Sequence, residues 1–273
     1  MTLEQSAGET ADPQPARPTG ILQSVGRALL VLETVAEYRD GVSAKEVAQR
    51  LGLTLPTTYH LLSTLIDNGY VVHLHRERRY GLGYRVRLLD QALHRQLAVP
   101  ADVAVVVRAL HERADAAAYY AVYRNDEIVL AHVEDSARRP RIQLLDVGFH
   151  RAAHATAFGK VMLAAMEPAV RAQYLAETGL PPITPQTITD ADVLESQLAH
   201  TREVSIAMEL EEFHSGIACL ASPVRAAGGV VAAAVAISLP AAEFLTRRWD
   251  VERAVRQSAT TLSRTLQGRP TRG

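Results

Sequence analysis

The chain has 273 residues, 29 Lys/Arg against 30 Asp/Glu for a net charge of −1, 48 % hydrophobic residues and one cysteine, Cys219. Its length and apolar content provide for two domains with separate cores, and a single cysteine excludes a disulfide framework and agrees with a reducing cytoplasm. Near-neutral charge excludes nucleic-acid binding by bulk electrostatics alone, yet residues 21–98 hold ten Lys/Arg against seven Asp/Glu while 99–273 hold eighteen against twenty.

Residues 1–20 have no apolar core of a signal peptide, so a polar, disordered tail is expected. A helix follows from about Ser24 to Tyr38, with Ala28, Leu29, Leu32, Val35 and Ala36 at helical spacing. Ser43 and Glu46 then have the spacing of a capping box, opening a helix whose Val47, Ala48 and Leu51 share a face and whose stop is Gly52. Thr54 is a suitable N-cap for the next helix, and Pro56 is tolerated in its first turn. Leu61, Leu62, Leu65 and Ile66 form the buried stripe, and Gly69 ends it. Two helices so closely joined have the order of a helix-turn-helix.

After Gly69 the period changes from helical to alternating. Tyr70, Val72 and Leu74 alternate with Val71, His73 and His75; Arg76-Glu77-Arg78-Arg79 forms a tip, and Tyr80–Tyr84 returns. A hairpin after a helix-turn-helix is a wing, and exposed cations on a projecting element suit phosphates. The bland alternative is a plain α+β core. A basic and apolar stretch from Arg85 to Leu97 predicts a linker helix ended by Pro100. It can pair with its twin in a dimer or pack on its own domain.

The second region predicts a helix over about 101–114 and a β-hairpin of 117–123 with 128–133. A strand near Arg141–Leu145 comes before Gly148. Helices are expected from Ala157 to Met166, after Pro168, and from a Thr189 cap to about Glu203. Gly216–Val224 and Val230–Leu239 flank Ala-Ala-Gly-Gly as a second hairpin, and a helix closes at Ala254–Leu266. The class is α+β with an antiparallel sheet. The longest uncharged run, Ala226 to Ala242, is too short and too broken by Gly and Pro to span a membrane, so no membrane partner is expected.

Catalytic chemistry has little to stand on. Gly159-Lys160 resembles the end of a phosphate loop, but His154 stands where its first Gly belongs and Val161 where Ser/Thr belongs. The histidines lack metal-ligand spacing with Cys or carboxylates, no Gly-x-Ser-x-Gly elbow occurs, and Cys219 between Ala218 and Leu220 suits a buried inert thiol. No catalytic residue, metal or cofactor is expected. Two features suit a ligand pocket. One is His154–Lys160, where a helix start offers free amides to an anion and Lys160 either adds charge or pairs on the surface. The other is Glu209–Glu212, whose bland reading is a solvated turn.

The chain resembles the IclR family of bacterial transcriptional regulators from Gln23 to Leu266. The resemblance is carried by Gln23–Leu29, Leu51-Gly-Leu, Leu61–Leu65, Gly69-Tyr70, Tyr80–Gly83, His154–Lys160 and Gly216–Arg225. It implies an N-terminal winged helix-turn-helix (residues 21–84), a linker helix (85–99) and a C-terminal GAF-like effector domain (100–268) with a short tail at 269–273. It further implies a homodimer, often paired into a dimer of dimers, on palindromic double-stranded operator DNA. Effector-pocket positions carried over by motif are Thr156, Ala157, Phe158, Glu209, Cys219, Ala236 and Ser238.

No Lys or Arg occurs between Leu51 and His75, unlike the recognition helix of many family members. Base readout is therefore expected from Thr57, Thr58, Tyr59 and His60. Ser43 and Thr54 stand at the helix starts, with Arg27, Arg76, Arg78 and Arg79 on phosphates. Ala236 and Phe158 make the pocket drier than is usual in the family, which favours a carboxylate effector with an apolar or aromatic body. The expected function is a non-enzymatic, effector-responsive regulator, a repressor rather than an activator. The rivals are an enzyme transforming a small molecule with an accessory helix-turn-helix, and a dimerising scaffold.

Overall fold

A computed structural model describes residues 22–268 except 125, 126, 144, 146, 150 and 151. The expected tails, 1–20 and 269–273, lie outside the described residues. The chain divides into two compact units, Met1–Asp90 and Gln91–Gly273. The division falls inside the helix expected as a linker.

The first unit contains α1 (Gln23–Ala36), α2 (Ala44–Leu51), α3 (Leu55–Asp67), β1 (Val71–Leu74) and β2 (Arg79–Leu82), and α4 (Tyr84–Gln96) begins in it. The capping box forms as its spacing requires. The Ser43 N–H donates to Glu46 Oε2 at 2.8 Å and the Glu46 N–H to Ser43 Oγ at 3.3 Å. Three residues, Gly52 to Thr54, then turn the chain into α3, where the Thr54 hydroxyl accepts from the Thr57 N–H. Val31, Val35, Val47, Leu61, Leu62 and Leu65 close a core on which Val71 and Tyr80 of the hairpin rest. Gly83 holds the wing against the end of α3, because a Cβ there would lie 2.2 Å from the Gly69 carbonyl oxygen.

The second unit runs α5 (Ala101–Ala114), β3 (Ala117–Arg124), β4 (Glu127–Glu134), β5 (Gly148–Phe149), α6 (Ala157–Ala165), α7 (Pro168–Thr178), α8 (Ala191–Val204), β6 (Ala207–Leu210), β7 (Ile217–Arg225), β8 (Val231–Pro240) and α9 (Ala241–Gln267). Its sheet has the order β5-β4-β3-β8-β7-β6 and every pairing is antiparallel. The two expected hairpins, β3–β4 and β7–β8, meet at its centre. Helices α5 and α9 cover one face, where Val107, Leu110, Val251 and Val255 meet Tyr120, Leu220 and Val235. On the other face Phe158, Leu163, Leu194 and Leu198 of α6 and α8 pack over Tyr119, Cys219 and Ala236. A strand covered on both sides is apolar on both faces, which explains the run Val231–Ile237 in β8; Ser238 is the polar residue that follows it.

Three expectations are corrected. Residues 141–145 contain no strand among those described; Ile142 and Leu145 are both buried but three apart, joined by a turn in which the Leu145 N–H donates to the Ile142 carbonyl at 2.8 Å. The cap of α8 is Asp190, not Thr189, because the Asp190 carboxylate accepts from the N–H groups of both Asp192 and Val193. The last helix starts at Ala241 rather than Ala254, and its first turns are held by Phe244 and by Arg247, which donates to the Ala114 carbonyl.

Candidate functional site

The exposed face of α3 carries Tyr59, which is 51 % exposed, and His60, with Ser63 and Thr64 one turn further on. Thr57 is half-buried and its hydroxyl bonds to that of Thr54 at 2.8 Å. Thr58 cannot read a base. Its side chain is fully buried and its hydroxyl donates to the Thr54 carbonyl at 3.0 Å. It falls on the stripe of Leu61, Leu62 and Leu65, so helical phase alone could have assigned it to the core, and the same phase places Ser63 and Thr64 outside. Ser43 and Thr54 are occupied as helix caps.

Arg27 on α1 is exposed, as are Arg76 and Arg78 in the wing turn. Arg78 adopts a φ of 54°, a left-handed conformation that projects the turn. Arg79 does not join them. Its Nη1 donates to the Gly41 carbonyl at 2.7 Å and its Nη2 lies 3.9 Å from Glu46, so the guanidinium braces its own domain. The wing thus presents two arginines, not three.

In the second unit the motif positions converge. One rung of the sheet runs Glu209, Cys219, Ser238 and Ala117 across β6, β7, β8 and β3, with Ala236 two residues along β8 on the same face. Thr156 caps α6, accepting from the Gly159 N–H at 3.3 Å, and Ala157 and Phe158 follow in its first turn. Gly159 is required there, since a Cβ would stand 2.3 Å from the Ala153 carbonyl oxygen. All seven predicted positions are buried. Phe158 fills the space between α6 and the sheet.

Lys160 is not on the surface. It is 1 % exposed, and its Nζ donates to Glu212 Oε1 at 2.5 Å and to Gln197 Oε1 at 2.7 Å. Glu209 and Glu212 are not solvated either, being 1 % and 6 % exposed, while Leu210 and Glu211 between them reach solvent. The Glu212 N–H donates to Glu209 Oε2 at 2.9 Å, while Glu209 Oε1 and Glu212 Oε2 are buried without a partner. Burial pushes the Glu209 carboxyl up to about 7, pushes Glu212 up against the pull of Lys160, and pulls the Lys160 ammonium down. Burial also raises the Cys219 thiol, with Glu209 adding to it, so the thiol is unreactive. The sequence signal for this cluster is a charge set inside the apolar run Ala157–Ala165.

An open cavity of about 230 Å³ borders the same face. Of the motif positions only Ser238 lines it; Ile142, Ile217 and Leu239 give apolar walls, and Arg139, Arg141 and His214 a basic side. Tyr119 fixes its floor, its phenol oxygen 2.8 Å from Ser238 Oγ and accepting the Ile142 N–H at 3.2 Å. Arg139 is held by Asp115 and Glu243, and Arg141 by Asp135, which lowers all three carboxyls. These wall residues went unpredicted because the loop that carries them shows no periodicity. Among the described residues no three His, Cys, Asp or Glu side chains gather as a metal centre, and no helix is long and apolar enough to cross a membrane.

Two family profiles match the chain: the IclR helix-turn-helix domain over residues 24–75 and the bacterial transcriptional regulator IclR C-terminal domain over residues 91–264. The glycerol operon regulatory protein of Streptomyces griseus is 29 % identical over 258 residues, 90 % of this chain and 96 % of that protein. The DNA-binding transcriptional repressor YiaJ of Escherichia coli (strain K12) is 28 % identical, covering 82 % of this chain and 79 % of its own. In fold, the chain is similar to the Thermotoga maritima IclR (TM-score 0.68, 23 % identity, 90 % of this chain and 100 % of that one). It is similar also to an IclR homolog of Microbacterium hydrocarbonoxydans complexed with 4-hydroxybenzoate (TM-score 0.66, 21 % identity, 90 % and 100 %).

Proposed function

The chain belongs to the IclR family of bacterial transcriptional regulators, non-enzymatic DNA-binding proteins, and from that we propose a cytoplasmic repressor whose grip on a palindromic operator is set by a small carboxylate effector. Residues 21–84 read the operator, 85–99 link, and 100–268 bind the effector. The observation that carries the reading is the pairing of surfaces in the first unit: a polar, uncharged face on α3 beside a wing tip with two free-standing arginines. Tyr59 and His60 choose the sequence, and Arg27, Arg76 and Arg78 hold the phosphates.

A homodimer presents two such surfaces to half-sites about one helical turn apart. Its support is apolar surface that the described residues of the first unit leave open: Val25, Leu29 and Leu30 on α1, and Leu88 and Leu89 on α4, are each 50 % exposed or more. Two dimers can then share one operator region. For the effector, apolar walls with a basic side suit a carboxylate with an apolar or aromatic body, and the same fold holds such a molecule in the Microbacterium hydrocarbonoxydans homolog. The effector shifts operator affinity only by its differential binding to two arrangements of the dimer, about 1–3 kcal/mol.

Fluorescence anisotropy on DNA from upstream of the protein's own coding region, titrated against random duplex, tests the reading. A preference of about a thousandfold or more is expected, reduced when an aromatic carboxylate is added. Equal affinity for both duplexes, and for pools enriched from random sequence, would overturn it.

A further inference from the structure

The wing holds a pair of side chains that operator binding does not explain. His73 lies in β1 and His75 is the first residue of the turn that follows it, and their rings meet. Their Nδ1 atoms are 2.8 Å apart, the ring centroids 4.3 Å apart and the ring planes at 81°. The two rings stand at hydrogen-bond distance and can share a proton. If both lone pairs instead converge on an ion about 2.0 Å from each nitrogen, the centroids fall about 4.4 Å apart. The observed 4.3 Å lies close to that, so an ion can take the place of the shared proton with little movement of the rings.

The bite also selects the ion. A 2.8 Å nitrogen pair subtends about 90° at a metal about 2.0 Å away, the cis angle of octahedral and square-planar ions; a tetrahedral zinc would need about 3.3 Å. His73 is propped by Tyr80, whose ring centroid is 4.8 Å away, while His75 is exposed. Both line a concavity of about 640 Å³ that opens between the wing and α3, with Tyr59 and Ser63 on its far wall. No third His, Cys, Asp or Glu joins them among the described residues, so water or a DNA group would complete the coordination.

We propose that His73 and His75 chelate a divalent transition ion of octahedral or square-planar habit, nickel(II) being the probe, and that the ion adds positive charge beside the reading helix. The site rests on the histidine geometry alone; only its effect on DNA rests on the function proposed above.

The test is calorimetric titration of NiCl2 into full-length protein free of any histidine tag. One ion per chain is expected, lost in His75→Ala and kept in His200→Ala, an exposed histidine of the other unit. His75 contributes nothing to the core, and circular dichroism checks that both variants stay folded. Cobalt(II) should give the weak visible band of a six-coordinate ion. Nickel should raise affinity for any duplex at least threefold in the parent protein and not in His75→Ala. Nickel binding that survives His75→Ala, absence of binding, or an intense tetrahedral cobalt spectrum would each overturn the site. Nickel binding without a change in DNA affinity would overturn its role. Because the titration needs no DNA, a failure here is distinct from a failure to find an operator.

Discussion

Replacing Lys160 by Met removes a cation and little volume from the interior of the second unit. What remains is Glu212, its side chain 8 % exposed, with one oxygen already lacking a partner and the other now losing the ammonium at 2.5 Å. Breaking a buried pair from one side costs about 3–5 kcal/mol, because the surviving charge has lost its counter-ion and has no solvent to replace it. Glu212 can escape by taking up a proton. From an ordinary carboxylate value of about 4.3, protonation at pH 7 costs about 4 kcal/mol, and less here because burial already favours the neutral form. The penalty at pH 7 is therefore about 3 kcal/mol, and in a unit of this size it lowers the melting temperature by roughly 10 °C.

The variant carries its own control. Protonation becomes cheaper as pH falls, so the deficit should shrink by about 1.4 kcal/mol per unit toward pH 5. Adding Glu212→Met should recover most of the loss, since an apolar pair in place of a buried ion pair is near neutral. Calorimetric melting at pH 7 and pH 5.5 reads both. A single variant within about 1 kcal/mol of the parent at pH 7, or a double variant no better than the single, would refute an interior ion pair at this place.

Arg76→Ala with Arg78→Ala should weaken binding to all duplexes alike and lower the salt slope by about two units; an unchanged slope removes the wing from the phosphate contacts. Arg79→Ala should instead lower the stability of the first unit, through loss of its bond to the Gly41 carbonyl, with the slope unaltered. Tyr59→Ala or His60→Ala should change preference at one or two base pairs by roughly 1–3 kcal/mol in a selection from random DNA, whereas Thr58→Val should leave preference alone and cost about 1 kcal/mol of stability; altered preference in Thr58→Val would contradict its burial. Glu209 has a folded value of about 7, above its unfolded one, so the native state holds the extra proton. Stability should be full below the ordinary carboxylate value and fall as pH rises through about 7. Glu209→Gln should flatten that decline between pH 5 and 8, and melting curves with equal slopes in parent and variant would refute the assignment.

The first unit was largely legible because its chemistry is local. A capping box, a threonine N-cap and a change of period each involve residues three or four apart, and each forms as read. Helix α5 was equally plain, set between Pro100 and Asp115. Thr58 was missed although its phase was in the sequence, since residue type was weighed above position on the stripe. Helix α9 is a different case: its early core contacts, Phe244 and Val251, stand two turns apart with Arg247 and Arg248 between them. Too few apolar residues mark its face, and Arg247 is bound to a carbonyl 133 positions away.

The interior cluster marks the limit of such reading. Lys160 and Glu212 are 52 residues apart, and neither justifies burial until the other is in place. A charged side chain taken singly is assigned to solvent by every rule of composition, so a buried pair is invisible one member at a time. It leaves one trace, a charge within an otherwise apolar helix such as Ala157–Ala165, where an exposed lysine would force the helix to turn a core face outward. Two such anomalies of opposite sign, on elements the fold brings together, would predict each other. In this chain Lys160 and the Glu209–Glu212 turn are that pair, and they meet beneath the helix that Thr156 caps.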